Sequence, residues 1–229
     1  MCAGELLPLQ PPWCRRCGRP LPTDVERCRD CPPAPIASAR AAFAYRGPAK
    51  AAVHRLKFSG WRGVGEALAA ALTALGPPPA DVVTWVPLAP RRRAERGFDQ
   101  ARVLARALAR ELELPAAAFV RRTKATAPQA RLTREERTQA MAEAFGCISR
   151  RPPPARLLLV DDVLTTGATA SACAAALHRG GAREIHLLTA CRSFTDRPPG
   201  HLVRAVRKAV PILGGCSRPG LWLPGDPPR

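Results

Sequence analysis

Residues 160–169 read Val160-Asp161-Asp162-Val163-Leu164-Thr165-Thr166-Gly167-Ala168-Thr169. This stretch leaves an apolar strand through two adjacent carboxylates and enters a helix through a small, hydroxyl-rich loop. Backbone N–H groups from Thr165 to Thr169 can converge on one phosphate at the positive end of the helix, where Gly167 permits close approach and the threonine hydroxyls add donors. The stretch therefore predicts a phosphate-binding loop. The alternative is an ordinary capped turn between a strand and a helix.

The paired acids extend this prediction from phosphate to sugar. Asp161 and Asp162 lie at the carboxyl end of the predicted strand, where they suit hydrogen bonds to a ribose diol and an indirect hold on a magnesium ion. No lysine follows Gly167, so the loop is not of the Walker type, and Gly60 to Gly65 misses the dinucleotide fingerprint. A sugar phosphate is therefore the expected ligand class.

Strand and helix patterns alternate on both sides of this loop. That alternation predicts an α/β fold with a parallel sheet flanked by helices. The predicted strands are Ala41–Tyr45, Val82–Pro87, Phe119–Arg121, Leu157–Val160 and Ile185–Cys191. The predicted helices are Pro48–Phe58, Gly65–Leu75, Phe98–Leu112, Thr133–Ala144 and Ala168–His178.

Four of the nine cysteines form a C-x2-C-x10-C-x2-C array, made of Cys14, Cys17, Cys28 and Cys31. Four thiolates close a tetrahedral shell around zinc and leave no open position for hydrolytic chemistry. The segment from Trp13 to Cys31 has too few apolar residues to fold on a core of its own. We expect a structural zinc ribbon, with two disulfides or coincidental spacing as the alternatives.

Composition shifts divide the chain into three parts. Pro32-Pro33-Ala34-Pro35 ends the ribbon, and the last residues are rich in proline and glycine. We predict a zinc ribbon over residues 1–35, the α/β domain over 36–195 and an irregular tail over 196–229. No apolar run approaches the roughly 18 residues of a membrane span, and no secretory signal is recognisable, so we expect a soluble, cytoplasmic protein.

The charge of the chain is strongly positive. Among 229 residues, 36 Lys and Arg against 18 Asp and Glu give a formal net charge of +18. Such a field attracts polyanions such as nucleic acid or phosphorylated metabolites. Residues 91–137 alone carry 13 Lys and Arg against six Asp and Glu. A GC-rich genome, which favours arginine everywhere, is the alternative explanation.

The quoted loop, with its Asp-Asp pair and Thr-Gly-Ala-Thr ending, resembles the phosphoribosyl-pyrophosphate (PRPP) loop of type I phosphoribosyltransferases. A wider set of motifs, together with the four-cysteine ribbon, resembles the ComF (ComFC-like) family. These motifs are Leu56–Gly60, Val86–Leu88 with Arg91–Arg93, Arg96–Gln100 and Thr126–Phe145. Together they cover residues 14 to about 192. The resemblance implies a type I phosphoribosyltransferase-like sheet flanked by helices, with a small N-terminal zinc ribbon.

The resemblance also implies a role for each part of the site. Asp161, Asp162 and the loop Thr165, Thr166, Gly167, Ala168 and Thr169 would bind ribose and 5′-phosphate, and the turn at Pro87 and Leu88 would receive pyrophosphate. Departure of pyrophosphate needs charge neutralisation, which Mg2+ and arginines provide. Arg92, Arg93 and Arg96 are the candidates, and Arg96 joins the two acids as a candidate catalytic residue. No histidine has a recognisable catalytic partner.

Two positions depart from the family pattern, because Asp99 and Ala140 stand where asparagine is usual. An acceptor contact that the resemblance would assign to those amides is therefore not carried over to this chain. The basic, hydroxyl-rich stretch from Arg121 to Arg137 is expected to be a mobile flap over a charged ligand, with a solvated loop as the alternative.

Three functions are compatible with the sequence. The ComF resemblance implies a factor in natural transformation that binds single-stranded DNA, together with a competence helicase-type partner. The main alternative is an active phosphoribosyltransferase that transfers phosphoribosyl from PRPP to an unidentified acceptor. A third hypothesis is a nucleotide sensor, because a fold alone does not establish turnover.

Overall fold

The computed structural model of the protein describes residues 6, 8–59, 62–123, 144–148 and 152–194. These residues contain the following strands and helices in chain order: β1 Ile36–Ala44, α1 Gly47–Ser59, α2 Arg62–Thr73, β2 Val82–Trp85, α3 Pro90–Arg96, α4 Gln100–Glu111, β3 Val120–Arg122, β4 Phe145–Cys147, β5 Arg156–Leu164, α5 Ala168–Arg179 and β6 Glu184–Arg192.

The central sheet has four strands in the order β1-β6-β5-β2, and all three neighbouring pairs are parallel. The carboxyl ends of the strands therefore meet at one edge, which is where ligands bind in open parallel sheets. Trp85 is in register with Val160, and Asp161 is in register with Thr189. The turn after β2 and the loop after β5 consequently lie side by side.

Helices cover both faces of this sheet. Along β5, Leu158 and Val160 belong to a core cluster with α1, α2 and α4, whereas Leu157 and Leu159 belong to a second cluster with α5. Successive side chains of a strand point to opposite faces, so a strand between two helix layers is apolar throughout. The expected α/β architecture, a parallel sheet flanked by helices, is confirmed.

The four-cysteine segment packs on this sheet. Cys14 and Cys17 are buried in the same core cluster as α5. The buried Arg192, at the end of β6, donates hydrogen bonds to the backbone carbonyls of Cys17 at 2.7 Å and Asp30 at 3.2 Å. The segment is therefore anchored to the carboxyl edge of the sheet. The division of the chain at residue 35 stays a prediction.

Several elements differ from the sequence-based expectations. β1 begins at Ile36 instead of Ala41, because the edge strand continues along β6 and its backbone also contacts the ribbon, where the Ala39 N–H donates to Arg16 O at 2.8 Å. β5 continues to Leu164, so both acids lie within the strand. The short helix α3 was not predicted, nor was β4, which pairs with β3 in a separate antiparallel sheet.

Some expectations fall on other parts of the chain. The predicted helix Thr133–Ala144 lies outside the described residues except for Ala144, and the tail 196–229 lies wholly outside them. Within the residues that are described, none of the helices has the length and apolar character needed to cross a bilayer.

Candidate functional site

The two carboxylates near the end of β5 have different surroundings. Asp162 is buried, and its Oδ2 accepts a hydrogen bond from Gln100 Nε2 at 3.1 Å and lies 3.1 Å from the Nζ atom of Lys57. Lys57 comes from α1 and Gln100 from the first residue of α4. Asp162 thus joins the strand end to two helices, and one of its oxygens is fully engaged by protein groups.

Asp161 is only partly buried and lines a pocket between the turn after β2 and the loop after β5. Its Oδ1 accepts a hydrogen bond from the Asp162 backbone N–H at 2.8 Å. Burial, followed by the negative charge of Asp162, raises the pKa of the Asp161 carboxyl well above its ordinary value. A cation or several hydroxyl donors would favour its ionised form, so Asp161 is suited to contact a polyol or a metal-bound ligand.

A hydrogen-bond chain continues from Asp162 to the surface. Gln100 Oε1 accepts from Arg96 Nη1 at 3.1 Å, and the Arg96 guanidinium lies 5.1 Å from the ring centre of Phe58. Gly97, with φ 75, ends α3 between Arg96 and Gln100. That left-handed residue lets α4 start at once, which brings both side chains to the same pocket.

Asp99 sets the start of α4. Its Oδ1 accepts from the backbone N–H groups of Ala101 at 3.1 Å and Arg102 at 3.3 Å, and its Oδ2 accepts from the Leu88 N–H at 3.0 Å. The helix cap therefore also holds the turn after β2. These contacts are structural and use both carboxylate oxygens, whereas an asparagine would offer one.

The loop between β5 and α5 has the geometry of a helix N-terminus. Gly167, with φ 79, is the N-cap of α5. A Cβ at this position would lie 3.4 Å from Leu164 Cδ1 and 3.4 Å from Pro32 Cβ. The first N–H groups of α5 have no acceptor within the helix, and the positive end of the helix dipole adds to their attraction for an anion. The Ala168 N–H also approaches Thr166 Oγ1 at 3.4 Å.

A pocket of about 170 Å³ lies between the turn after β2 and the loop after β5. This volume is below the range of roughly 300–1,000 Å³ for whole small-molecule sites, and suits a phosphate with part of a sugar. Four basic residues and two acids line it. The predicted site residues that it brings together are Pro87, Leu88, Arg92, Arg96, Asp161, Asp162, Thr165, Gly167 and Thr169.

Three predicted residues stand apart from this pocket. Arg93 lines a second cleft, and neither Thr166 nor Ala168 is among the lining residues of the first. The Leu88 N–H is engaged by Asp99, so that amide is not directed to a ligand. Of the predicted flap, only its first three residues, 121–123, are described, and two of them belong to β3.

Sequence reasoning did not assign Lys57, Gln100 and Arg122 to the site. All three line the pocket, and burial together with the charge of Arg92 lowers the pKa of the Arg122 guanidinium. Lys57 and Gln100 lie in motifs that resemble the ComF family, which was the available signal. That Lys57 and Gln100 both reach the Asp162 carboxylate is visible only in the packing of α1 and α4 against β5.

The four cysteines form a compact cluster. Their sulfurs lie within 4.8 Å of one another, with separations of 3.5 Å for Cys14 to Cys31 and for Cys17 to Cys28 and 3.8 Å for Cys28 to Cys31. Zn–S bonds of about 2.3 Å in a tetrahedron put sulfurs about 3.8 Å apart. The four residues therefore fit a metal ion, and the separations are too long for disulfides.

Backbone donors support thiolate character in this cluster. Burial alone would raise the pKa of the Cys14 thiol, yet backbone N–H groups that include those of Cys17 and Cys28 lower that pKa to about 7. The Cys28 N–H lies 3.3 Å from the Cys14 sulfur. Burial and the neighbouring sulfurs instead raise the pKa of Cys28 and Cys31.

Comparisons with known proteins cover most of the chain. Residues 99–205 match the family described as phosphoribosyl transferase domain. The DNA utilization protein YhgH of Escherichia coli (strain K12) is 32% identical over 194 residues, which make up 79% of this chain and 84% of that protein. YhgH of Salmonella typhi is 31% identical over 192 residues, with the same two coverages of 79% and 84%.

Among solved structures, one described as the structure of the allosteric regulatory enzyme of purine biosynthesis matches 56% of this chain with a TM-score of 0.40 and 19% identity. The chain spans 26% of the length of that structure.

The sequence similarity includes the site itself. The phosphoribosyl transferase match contains both acids of β5 and the loop into α5. The alignment with YhgH extends over about four fifths of each chain at 31–32% identity. Together with the four-cysteine cluster at the N-terminus, this similarity shows that the chain belongs to the ComF family, the family of the DNA utilization protein YhgH.

Proposed function

We propose that this protein acts in DNA uptake in the cytoplasm, where it binds single-stranded DNA and carries a pocket for PRPP or a similar sugar phosphate. The observation that carries the proposal is the similarity to DNA utilization protein YhgH over most of both chains. The basic character of the chain supports the DNA part, and the pocket at the end of β5 supports the sugar-phosphate part. A competence helicase-type protein is the proposed partner.

The residues that line the pocket offer contacts for both phosphate groups of PRPP, although its enclosed volume holds only a phosphate with part of the sugar, so the rest of the ligand would extend beyond it. The N-terminus of α5 and the hydroxyls of Thr165 and Thr169 would hold the 5′-phosphate, and Asp161 would accept hydrogen bonds from the ribose hydroxyls. Arg92 and Arg96 lie beside the Pro87–Leu88 turn and would neutralise pyrophosphate.

Two metals belong to the proposal. Mg2+ would reach the site with PRPP, and Asp161 with Asp162 would hold it through intervening water. When bound, Mg2+ would neutralise charge on the departing pyrophosphate. At the N-terminus, Cys14, Cys17, Cys28 and Cys31 would hold a structural zinc ion, which is the metal that a shell of four thiolates prefers.

The alternative function is phosphoribosyl transfer. It is favoured by a pocket lining that combines the loop between β5 and α5 with Arg92 and Arg96 of α3. In this reaction the bond from C1′ to pyrophosphate would break, pyrophosphate would leave with the electron pair, and an acceptor would form a bond to C1′ and lose its proton. Arg92 and Arg96 would neutralise charge on the pyrophosphate together with bound Mg2+, and Asp161 would position the ribose.

Two measurements test these functions separately. Fluorescence anisotropy with a labelled single-stranded oligonucleotide should give an affinity that falls steeply as salt rises, because phosphate contacts release counterions. No binding at low salt, or a flat salt response, would reject the DNA role. Magnesium-dependent release of pyrophosphate from PRPP, lost in Asp161→Asn, would support transfer; PRPP that binds without being consumed across a panel of bases and ammonia would count against it.

A further inference from the structure

A second cleft, of about 880 Å³, lies next to the sugar-phosphate pocket. Pro87, Leu88 and Arg122 line both cavities, so the turn after β2 is their common wall. The cleft is formed by α3, the first half of α4 and β3. Its volume is near the top of the range for small-molecule sites, which gives room for more than one nucleotide.

The cleft carries a concentration of positive charge. Its lining contains five arginines from three elements: Arg93, Arg102, Arg106, Arg121 and Arg122. The only carboxylate in the lining is that of Asp99, and its oxygens already accept three backbone N–H groups. Within the part of the chain that is described, Arg93, Arg102, Arg106 and Arg121 form no ion pair. Among the described residues that line the cleft, positive charge therefore exceeds negative charge.

The arginines of α4 add a second observation. Arg102 and Arg106 are four residues apart, so their side chains are neighbours on one helix face, where like charges are destabilising. The Nε atom of Arg102 is buried, and among the described residues it has no hydrogen-bond partner. Its guanidinium lies over the ring of Trp85 at 5.8 Å. Arg102 is only partly buried and lines the cleft, so an anion bound there would reduce the repulsion between the two arginines.

The remaining surface of the cleft is apolar. Ala116, Ala117 and Ala118 line it beside Trp85, and Ile148, which is 45% exposed, lies among the same lining residues. Arginines next to an apolar surface match single-stranded nucleic acid, whose phosphates need cations and whose unpaired bases present flat apolar faces. In a duplex the bases are paired and stacked and could not reach this surface.

We propose that this cleft is the binding site for the backbone of single-stranded DNA, with the arginines of α3, α4 and β3 on the phosphates and the apolar surface against the bases. This proposal rests on the proposed DNA role and gives that role a location. The proposal also places single-stranded DNA and the sugar phosphate in different cavities. Arg102 and Arg106 line the cleft and not the sugar-phosphate pocket.

The test is anisotropy with a labelled oligo-dT and the full-length protein, carried out over a range of salt concentrations. The variant is Arg102→Gln with Arg106→Gln. We expect its affinity to fall by about tenfold and the slope of log affinity against log salt to decrease by about 1.4, since each phosphate contact on a single strand contributes about 0.7. Arg110→Gln is the matched control, because Arg110 is on the same helix but lines neither cavity. It should bind within about twofold of the wild type.

Two further readouts make the result unambiguous. Calorimetric titration with PRPP should give the same affinity for the double variant and the wild type, which excludes general unfolding. Ultraviolet cross-linking of the wild type to bromouracil-containing single-stranded DNA should give adducts in the peptides that contain Trp85 and residues 116–122.

The outcomes test separately whether the protein binds single-stranded DNA and whether the cleft is where it binds. If the wild type binds the oligonucleotide but the double variant and Arg110→Gln bind it equally well, the cleft is the wrong location and the DNA role stands. Adducts confined to other peptides would overturn the location in the same way. If the wild type itself does not bind at low salt, the DNA role fails, and the proposal for the cleft fails with it.

Discussion

The ammonium group of Lys57 lies 3.1 Å from Oδ2 of Asp162, and the side chains are only 22% and 8% exposed. This ion pair joins α1 to β5, the strand that leads into the loop before α5. Lys57→Met should therefore leave a buried carboxylate with Gln100 as its remaining side-chain donor. We expect a loss of about 2–3 kcal/mol in the free energy of unfolding, somewhat below the 3–5 kcal/mol of fully buried pairs because the pocket is open to water.

Urea denaturation of the full-length protein measures this loss. Lys50→Met is the matched control, since Lys50 is on the same helix but exposed. It should change the free energy of unfolding by less than about 0.5 kcal/mol. Equal stabilities of the two variants would contradict a stabilising role for the Lys57–Asp162 pair.

The two acids of β5 should respond oppositely to substitution by asparagine. Burial and the charge of Asp162 raise the pKa of Asp161 above its value of about 4 in the unfolded chain, so the folded state holds that proton more tightly. The resulting stability is fully present below about pH 4 and is lost as the pH rises through the folded-state pKa. Above about pH 4, Asp161 is therefore less favourable to the folded state than an uncharged side chain of the same shape would be.

Asp161→Asn should consequently raise the melting temperature at pH 8, and the melting temperature should fall less between pH 5 and pH 8 than in the wild type. Asp162→Asn should lower the melting temperature at pH 8, because it leaves Lys57 without its partner. Thermal melts followed by circular dichroism measure both. Parallel pH profiles for the wild type and Asp161→Asn would contradict the raised pKa.

Asp99→Asn tests why an acid occupies this position. Both carboxylate oxygens accept backbone N–H groups, one at the cap of α4 and one at Leu88. An asparagine has one such oxygen, and its NH2 group would face an N–H donor. We expect a loss of about 1 kcal/mol in stability, the usual size of a lost cap or hydrogen bond. Hydrogen exchange should show faster exchange of the Leu88 or the Ala101 amide; unchanged exchange of both would contradict the double role.

The cysteine cluster should stabilise the fold and also support the loop between β5 and α5. Metal analysis should give about one zinc ion per chain, and Cys28→Ser should release it and lower the melting temperature. Because Pro32 directly follows Cys31 and packs beside Gly167, loss of the metal should also weaken PRPP binding. Cys147→Ser is the control, since Cys147 is exposed and outside the cluster. Metal-free protein with an unchanged melting temperature would exclude a structural metal.

The sequence was sufficient for the parts of the site that are local. The apolar run before Asp161, the glycine at the start of α5 and the cysteine spacing each report on neighbouring residues, so β5, its loop and the cluster could be predicted. The approach of Lys57 and Gln100 to Asp162 depends on how α1 and α4 pack on the sheet, across about 60 residues of chain in the case of Gln100. No local pattern encodes such a contact.

The difference between local patterns and tertiary packing also explains why three arginines that are close in sequence face different cavities. Arg92, Arg93 and Arg96 are close in sequence and were grouped together, but α3 directs Arg93 into the second cleft and the other two into the pocket. A short helix turns successive side chains by about 100° each, so neighbours in sequence face different cavities. The helix could not be predicted because five of its seven residues are charged and none is buried, so it has no apolar period.

The most direct test of the sugar-phosphate pocket is calorimetric titration of the full-length protein with PRPP in the presence and absence of Mg2+. We expect saturable binding at about one site per chain that requires Mg2+. Gly167→Ala should weaken it at least tenfold, because a side chain is strained at φ 79 and would disturb the loop, whereas Gly63→Ala, in the open surface of α2, should bind like the wild type. Absence of saturable heat from the folded wild-type protein, or equal binding by Gly167→Ala, would contradict the account.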